Sequence, residues 1–140
     1  MKVVGIDISG RDVIIVALHK DGDKILNITG NHKRLRMEDD DDSHNVKLFK
    51  DTLHATLDNL EPEVIVIKYR NPSGRGDYAP SPVSFKVEGL IQIYDGVKIC
   101  FTKPQTVSAY YKKHTLDILP DFVYQEDAFK MAHHYIKTVK

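Results

Sequence analysis

The sequence has one cysteine, no long apolar run and no excess of either charge. Cys100 is alone, which excludes an intramolecular disulfide framework and a cysteine-rich zinc site. No apolar run approaches the ~20 residues that a membrane-spanning helix needs, so we expect no membrane span. The 20 Lys+Arg residues balance the 20 Asp+Glu residues. This balance excludes a polybasic protein that binds nucleic acid through bulk charge.

The length and the apolar content predict one globular domain over residues 1–140. Compact domains commonly run to ~100–150 residues, and 41% apolar residues are enough to build a core. The opening Met1–Asp7 segment places a charge two positions after its short apolar run, which is unlike a signal peptide. We therefore expect a soluble, cytoplasmic domain, and no repeat or internal boundary divides it.

The charges are distributed unevenly along the chain. Residues 37–65 hold nine acidic residues against two lysines, whereas residues 68–113 hold eight basic residues against three acidic ones. Two interpretations stay open. The segments give the protein a dipolar surface, or they neutralise each other across the fold.

The first thirty residues predict a three-stranded antiparallel meander. Val3–Ile8, Val13–Leu18 and Lys24–Thr29 are rich in β-branched residues. A turn at residues 9–12 and an Asp21-Gly22 hairpin signal separate them.

Helices and further strands alternate through the rest of the chain. We predict helices over residues 44–60 (capped by Ser43), from Ser81-Pro82 to Gly96, from Pro104 to about Lys113, and over 121–139, with strands at 64–67 and 98–102. The order β-β-β-α-β-α-β-α-α predicts an α/β fold. Its mixed five-stranded sheet has three antiparallel strands, then two parallel ones, with helices on both faces.

Four segments resemble the ribonuclease H-like superfamily, and in particular its Holliday-junction resolvase branch. Val4–Asp7 resembles the first strand with its leading metal-binding Asp, and Pro62–Lys68 resembles the strand that ends in a catalytic Glu. Thr102–Val107 is similar to the Pro-containing step into a short helix, and Glu126–His134 to the closing helix with its last metal-binding Asp. The whole chain also resembles a small bacterial family of unknown function within this superfamily.

The resemblance implies a nuclease site with half of its carboxylates. Active members of the branch supply four carboxylates to two Mg²⁺ ions. Asp7 and Asp127 match two of these positions as catalytic and metal-binding candidates, but Lys68 and Tyr124 stand where the other acids belong. Lys68 is then either an internal counter-ion that replaces the metal or a side chain that reaches solvent past its strand.

The remaining candidate residues have weaker motifs. Glu126 and Glu88 are possible substitute acids, and Asp127 could equally be plain helix N-terminal charge. The seven histidines lack metal-binding spacing, so we expect solvated or capping roles for them. We expect the Asp39–Asp42 run to be a solvated loop.

Three functional hypotheses follow. The first is a degenerate nuclease site in a domain that binds structured DNA or RNA without catalysis, and without a cofactor. The second is an Mg²⁺- or Mn²⁺-dependent nuclease that uses Asp7, Asp127 and a substitute acid. The third is a protein-interaction or scaffold module, with homo-oligomerisation through its complementary segments. In the first hypothesis, Lys68 is joined by Arg70, Arg75, Lys86, Lys103, Lys112 and Lys113 as nucleic-acid contacts.

Overall fold

A computed structural model describes residues 1–76 and 79–139. It contains a mixed six-stranded sheet with helices packed on both faces, which confirms the predicted fold class. None of the helices it describes is both long enough and apolar enough to cross a bilayer. The strands are β1 (Lys2–Ser9), β2 (Asp12–Asp21), β3 (Lys24–Asn27), β4 (Arg34–Arg36), β5 (Val64–Lys68) and β6 (Lys98–Thr102); the helices are α1 (Ser43–Leu60), α2 (Pro82–Gln92), α3 (Pro104–Tyr111) and α4 (Glu126–Thr138).

The strands lie in the order β3-β2-β1-β5-β6, with β4 paired to β2. Strands β1 to β4 pair antiparallel, and β1, β5 and β6 pair parallel. The sixth strand, β4, was not predicted, because Arg34–Arg36 contains a single apolar residue. It forms because the ten-residue β2 is long enough for two partners: β4 pairs with its beginning and β3 with its end.

The alternation of side chains along β1 divides the core into two layers. Val4, Ile6 and Ile8 face α1 and α2, whereas Val3 faces the α4 side. Strand β5 alternates in the same way, which explains its uninterrupted apolar run: both of its faces are covered.

Gly5 allows α4 to pack directly on the centre of β1. A Cβ atom at Gly5 would lie 2.0 Å from the backbone oxygen of Ala128 and 3.1 Å from the Cβ of Ala132. Only a glycine in the strand, under small residues in the helix, permits this approach. The contact fixes where the N-terminus of α4 lies relative to the sheet.

The helix ends differ from the predicted ones. Asp42, not Ser43, caps α1, because its carboxylate accepts a hydrogen bond from the backbone N–H of His44. Helix α2 ends at Gln92, before Gly96 is reached, and α3 ends at Tyr111. Helix α4 begins at Glu126 rather than residue 121, because a 3-10 turn over residues 123–125 precedes it.

Candidate functional site

The candidate site lies where β1 and β5 end side by side. Ile6 pairs with Ile67 in the parallel register, so the residues that follow them, Asp7 and Lys68, are neighbours at the carboxyl edge of the sheet. Because side chains alternate along a strand, both lie on the face that α4 covers. Asp127 is in the first turn of α4, and the close packing at Gly5 brings that turn to the same edge.

The side chains of Asp7, Lys68 and Asp127 meet. The Lys68 Nζ atom lies 2.6 Å from the Oδ2 atom of Asp127 and 3.9 Å from the Oδ1 atom of Asp7. The Asp7 side chain is 14% exposed and the Asp127 side chain 50% exposed. The ammonium of Lys68 therefore contacts both carboxylates.

The electrostatics of this cluster keep a positive charge between the two carboxylates. Burial raises the pKa of Asp7; the ammonium of Lys68 opposes that shift and the charge of Asp127 adds to it. Burial also lowers the pKa of Lys68, but the hydrogen bond to Asp127 and the charge of Asp7 outweigh it, so the net change is upward. Lys68 is therefore an ammonium at neutral pH.

The carboxylates present do not fit a two-metal site. Within residues 1–76 and 79–139, no three His, Cys, Asp or Glu side chains are grouped as metal ligands. Tyr124 stacks on Phe122, with 5.6 Å between ring centroids. The two candidate substitute acids are engaged by other cations: Glu126 pairs with Lys130 at 2.7 Å, and Glu88 pairs with Arg70 at 3.1 Å.

An open cleft of about 1090 Å³ extends from Lys68 along the edge of the sheet. We call it the basic cleft. It runs between the β1–β2 turn, the end of β5, the segment that leads into α2 and the start of α3. Lys68, Arg70 and Lys103 line it, and no Asp or Glu is among its described lining residues.

The other predicted nucleic-acid contacts lie outside the basic cleft. Lys86 pairs with Asp40 at 2.9 Å, so that part of the acidic and basic segments does neutralise across the fold. Lys112 lines a smaller cavity beside Asp127, of about 240 Å³. Arg75 and Lys113 are exposed.

Sequence reasoning missed two buried polar groups beside the basic cleft. Ser81 occupies the N-cap position of α2 as predicted, but its side chain makes no capping hydrogen bond. Its Oγ atom and the Nε atom of Arg70 are both buried, and neither has a hydrogen-bond partner within residues 1–76 and 79–139. The Ser81-Pro82 pair predicts where the helix starts, but nothing in it predicts a buried polar atom that lacks a hydrogen-bond partner.

His133 was also misjudged, since a solvated role was expected for it. The residue is 1% exposed, and its Nδ1 atom lies 2.5 Å from the Oη atom of Tyr111. The sequence places His133 and His134 side by side and does not show which ring is buried. The packing of α4 against the sheet decides this, because it buries the ring of His133 more than that of His134.

Solved structures with the same fold come from Thermus thermophilus. The RuvC structure of that organism matches with a TM-score of 0.73 and 15% sequence identity, covering 98% of this chain and 96% of that chain. RuvC in complex with a Holliday junction substrate matches with a TM-score of 0.71 and 17% identity, covering 99% and 97%. No curated protein matches the sequence. Residues 1–135 match the family described as "Protein of unknown function (DUF3010)", and the chain belongs to that family.

Proposed function

We propose that this domain binds structured nucleic acid at its basic cleft and does not hydrolyse it by a two-metal mechanism. The observation that carries the proposal is the position of Lys68. Its ammonium contacts Asp127 at 2.6 Å and Asp7 at 3.9 Å. It therefore serves as the counter-ion of the only two carboxylates that match the resolvase pattern.

A divalent cation would compete with this ammonium directly. Two-metal sites hold ions ~3.5–4 Å apart between converging carboxylates. At a separation of about 4 Å near a protein surface, each unit of like charge costs about 4 kcal/mol. A magnesium ion would also need oxygen ligands beyond the two aspartates. Lys68 thus offsets one of the two negative charges at the place where a metal would act.

The nucleic-acid part of the proposal rests on the cleft and on the fold. Lys68, Arg70 and Lys103 offer positive charge to phosphate groups along one side of the site. One protein with this fold is described in complex with a Holliday junction. Because the net charge of the chain is zero, binding depends on these local cations and falls as salt competes for the phosphates.

Manganese titration by calorimetry tests the counter-ion. We expect the wild type to bind Mn²⁺ weakly and Lys68→Glu to bind it at least tenfold more tightly, since the third carboxylate replaces the ammonium. Lys103→Glu is the matched control, because it adds an acid to the same cleft and leaves Lys68 in contact with the aspartates. Lys68→Gln removes the charge with less risk to folding. A wild type that binds Mn²⁺ as tightly as Lys68→Glu contradicts the counter-ion role.

Fluorescence anisotropy with a labelled four-way DNA junction tests binding. If about three cations contact phosphates, affinity falls about 40-fold between 50 and 200 mM salt. Lys103→Ala weakens binding, and Lys47→Ala, on the exposed side of α1, does not. Absence of binding at low salt, or a flat salt response, removes the proposal.

A metal-dependent nuclease is the second candidate, because Asp7 and Asp127 do converge on one cation. It requires Mn²⁺- or Mg²⁺-dependent cleavage of the junction that disappears in Asp7→Asn. Such cleavage would replace the non-catalytic proposal. Homo-oligomerisation stays a prediction, which light scattering at low and high salt tests.

A further inference from the structure

A second cavity adjoins the basic cleft on the α2 side of the sheet. Its volume is about 400 Å³, within the ~300–1,000 Å³ typical of small-molecule sites. We call it the aromatic cavity. It shares Tyr69 and Arg70 with the cleft, and its lining is completed by Pro72, Phe85, Glu88 and Phe101.

The fold brings three aromatic rings together at this point. The backbone N–H of Tyr69 donates to the carbonyl of Thr102 at 2.9 Å, which continues the pairing of β5 with β6 beyond the strand end. Phe101 lies on β6, the edge strand, and α2 supplies Phe85. Tyr69 is 38% exposed and Phe101 40% exposed. Two large aromatic side chains are thus partly exposed beside the cations of the basic cleft.

Arg70 lies between the two cavities and has unused hydrogen-bonding capacity. Its side chain is 10% exposed and donates to Glu88 at 3.1 Å and to the Ser84 carbonyl at 3.3 Å. Among the residues that the structure describes, neither its Nε atom nor the Oγ atom of Ser81, also on the cleft wall, has a hydrogen-bond partner. Buried polar groups are normally paired. Two unpaired ones beside the uncapped N-terminus of α2 therefore point to an anionic ligand.

We propose that the basic cleft and the aromatic cavity together bind one unstacked nucleotide of a single-stranded segment of nucleic acid. Its phosphate contacts the cleft at Arg70, Ser81 and Lys103, and its base packs against Tyr69, Phe85 and Phe101. This assignment rests on the proposed function and specifies which part of the nucleic acid is bound, namely one nucleotide. A nucleotide carries an anionic phosphate and a flat aromatic base on the same sugar, which matches a cation-lined cleft beside an aromatic cavity.

The geometry favours an unpaired position in a strand over a duplex or a free nucleotide. A base within a duplex keeps its faces covered by its neighbours, whereas a single-stranded base offers a face for stacking on aromatic side chains. The cleft, at about 1090 Å³, is larger than one phosphate needs, and it has cations beyond Arg70. The remaining volume of the basic cleft can therefore hold the nucleic-acid backbone on either side of the bound nucleotide.

Anisotropy with a labelled single-stranded 12-mer tests the assignment. Stacking lost in Phe101→Ala weakens binding about tenfold, or about 1.4 kcal/mol. Phe122→Ala is the matched control: that ring is 44% exposed and lies outside both cavities. It should bind within about twofold of the wild type. Tyr69→Leu repeats the test at a second ring, in case Phe101→Ala folds poorly.

An abasic 12-mer separates the base from the phosphates. It has the same backbone charge but no bases, so the wild type and Phe101→Ala should bind it equally. If Phe101→Ala and Tyr69→Leu both bind the normal strand as tightly as the wild type, while Lys103→Ala weakens binding, the base site is wrong and the proposed function stands. If the wild type binds no nucleic acid at low salt, both the base site and the proposed function are wrong. Equal competition by thymidine monophosphate overturns the assignment to a strand.

Discussion

Replacing Gly5 with alanine tests the contact that places the site. The added Cβ would lie 2.0 Å from the backbone oxygen of Ala128, whereas real Cβ contacts are essentially never under 3.0 Å. Helix α4 would have to move about 1 Å to relieve the overlap. No side-chain rotation can help, because the atom it meets belongs to the backbone. Asp127 precedes Ala128 and would move with it, away from Lys68.

The expected cost is large. Overpacking a core typically costs ~1–3 kcal/mol and occasionally more, and a backbone clash belongs at the upper end. We expect Gly5→Ala to lose about 3 kcal/mol or more, against a usual total stability of ~5–15 kcal/mol. Urea unfolding followed by circular dichroism measures the loss as a lower midpoint.

Gly89→Ala is the matched control for Gly5→Ala. Gly89 lies within α2, and a Cβ there would meet nothing within 4 Å. Alanine is the better helix former, so we expect a gain of about 0.5–1 kcal/mol. The packing role of Gly5 is refuted if the free energy of unfolding of Gly5→Ala lies within about 0.5 kcal/mol of the wild-type value. It is refuted equally if Gly89→Ala is destabilised as much as Gly5→Ala.

Two further predictions concern buried polar groups on α4 and the turn before it. Burial lowers the pKa of His133 below its ordinary 6.5, so its stabilising effect is present above about pH 6.5 and is lost as acid protonates it. The urea midpoint should fall between pH 7.5 and 5.5, less so in His133→Asn; an NMR titration giving His133 a pKa of 6.5 or higher contradicts this. Gln125 donates to the Ile15 carbonyl at 3.1 Å and accepts from the Phe122 N–H, so Gln125→Ala should cost about 2 kcal/mol. The exposed Gln92→Ala should cost almost nothing, and equal effects of the two substitutions would contradict the role given to Gln125.

The site combines two carboxylates at positions expected to bind metal with a lysine whose charge opposes metal binding. Asp7 and Asp127 stand where the resolvase resemblance expects metal ligands, and an ammonium sits between them. Beside them is a cleft lined by cations, without a described acidic residue. Because the cleft is lined by cations and an ammonium contacts both aspartates, we propose binding without hydrolysis.

Part of the site was predictable because strand ends are local features. The apolar runs before Asp7 and Lys68 predict two adjacent strands, and their carboxyl ends then lie together. The partners of Arg70 and Lys86 were not predictable, because Glu88 and Asp40 reach them through packing of α2 against other segments. Arg70 and Lys86 therefore join Lys68 as predicted nucleic-acid contacts that are ion-paired.

The sequence by itself determined most of the secondary structure and the order of helices and strands along the chain, because hydrophobic periodicity and turn residues act over short stretches of chain. It could not supply β4, whose three residues depend on the length of β2 for a partner. Only the tertiary structure decided that Lys68 meets Asp127, 59 residues away, since that contact requires α4 to lie close over Gly5. The single cysteine and the balanced charge excluded whole classes of site. The position of one lysine among its neighbours, set by packing between distant segments, decided which function to propose.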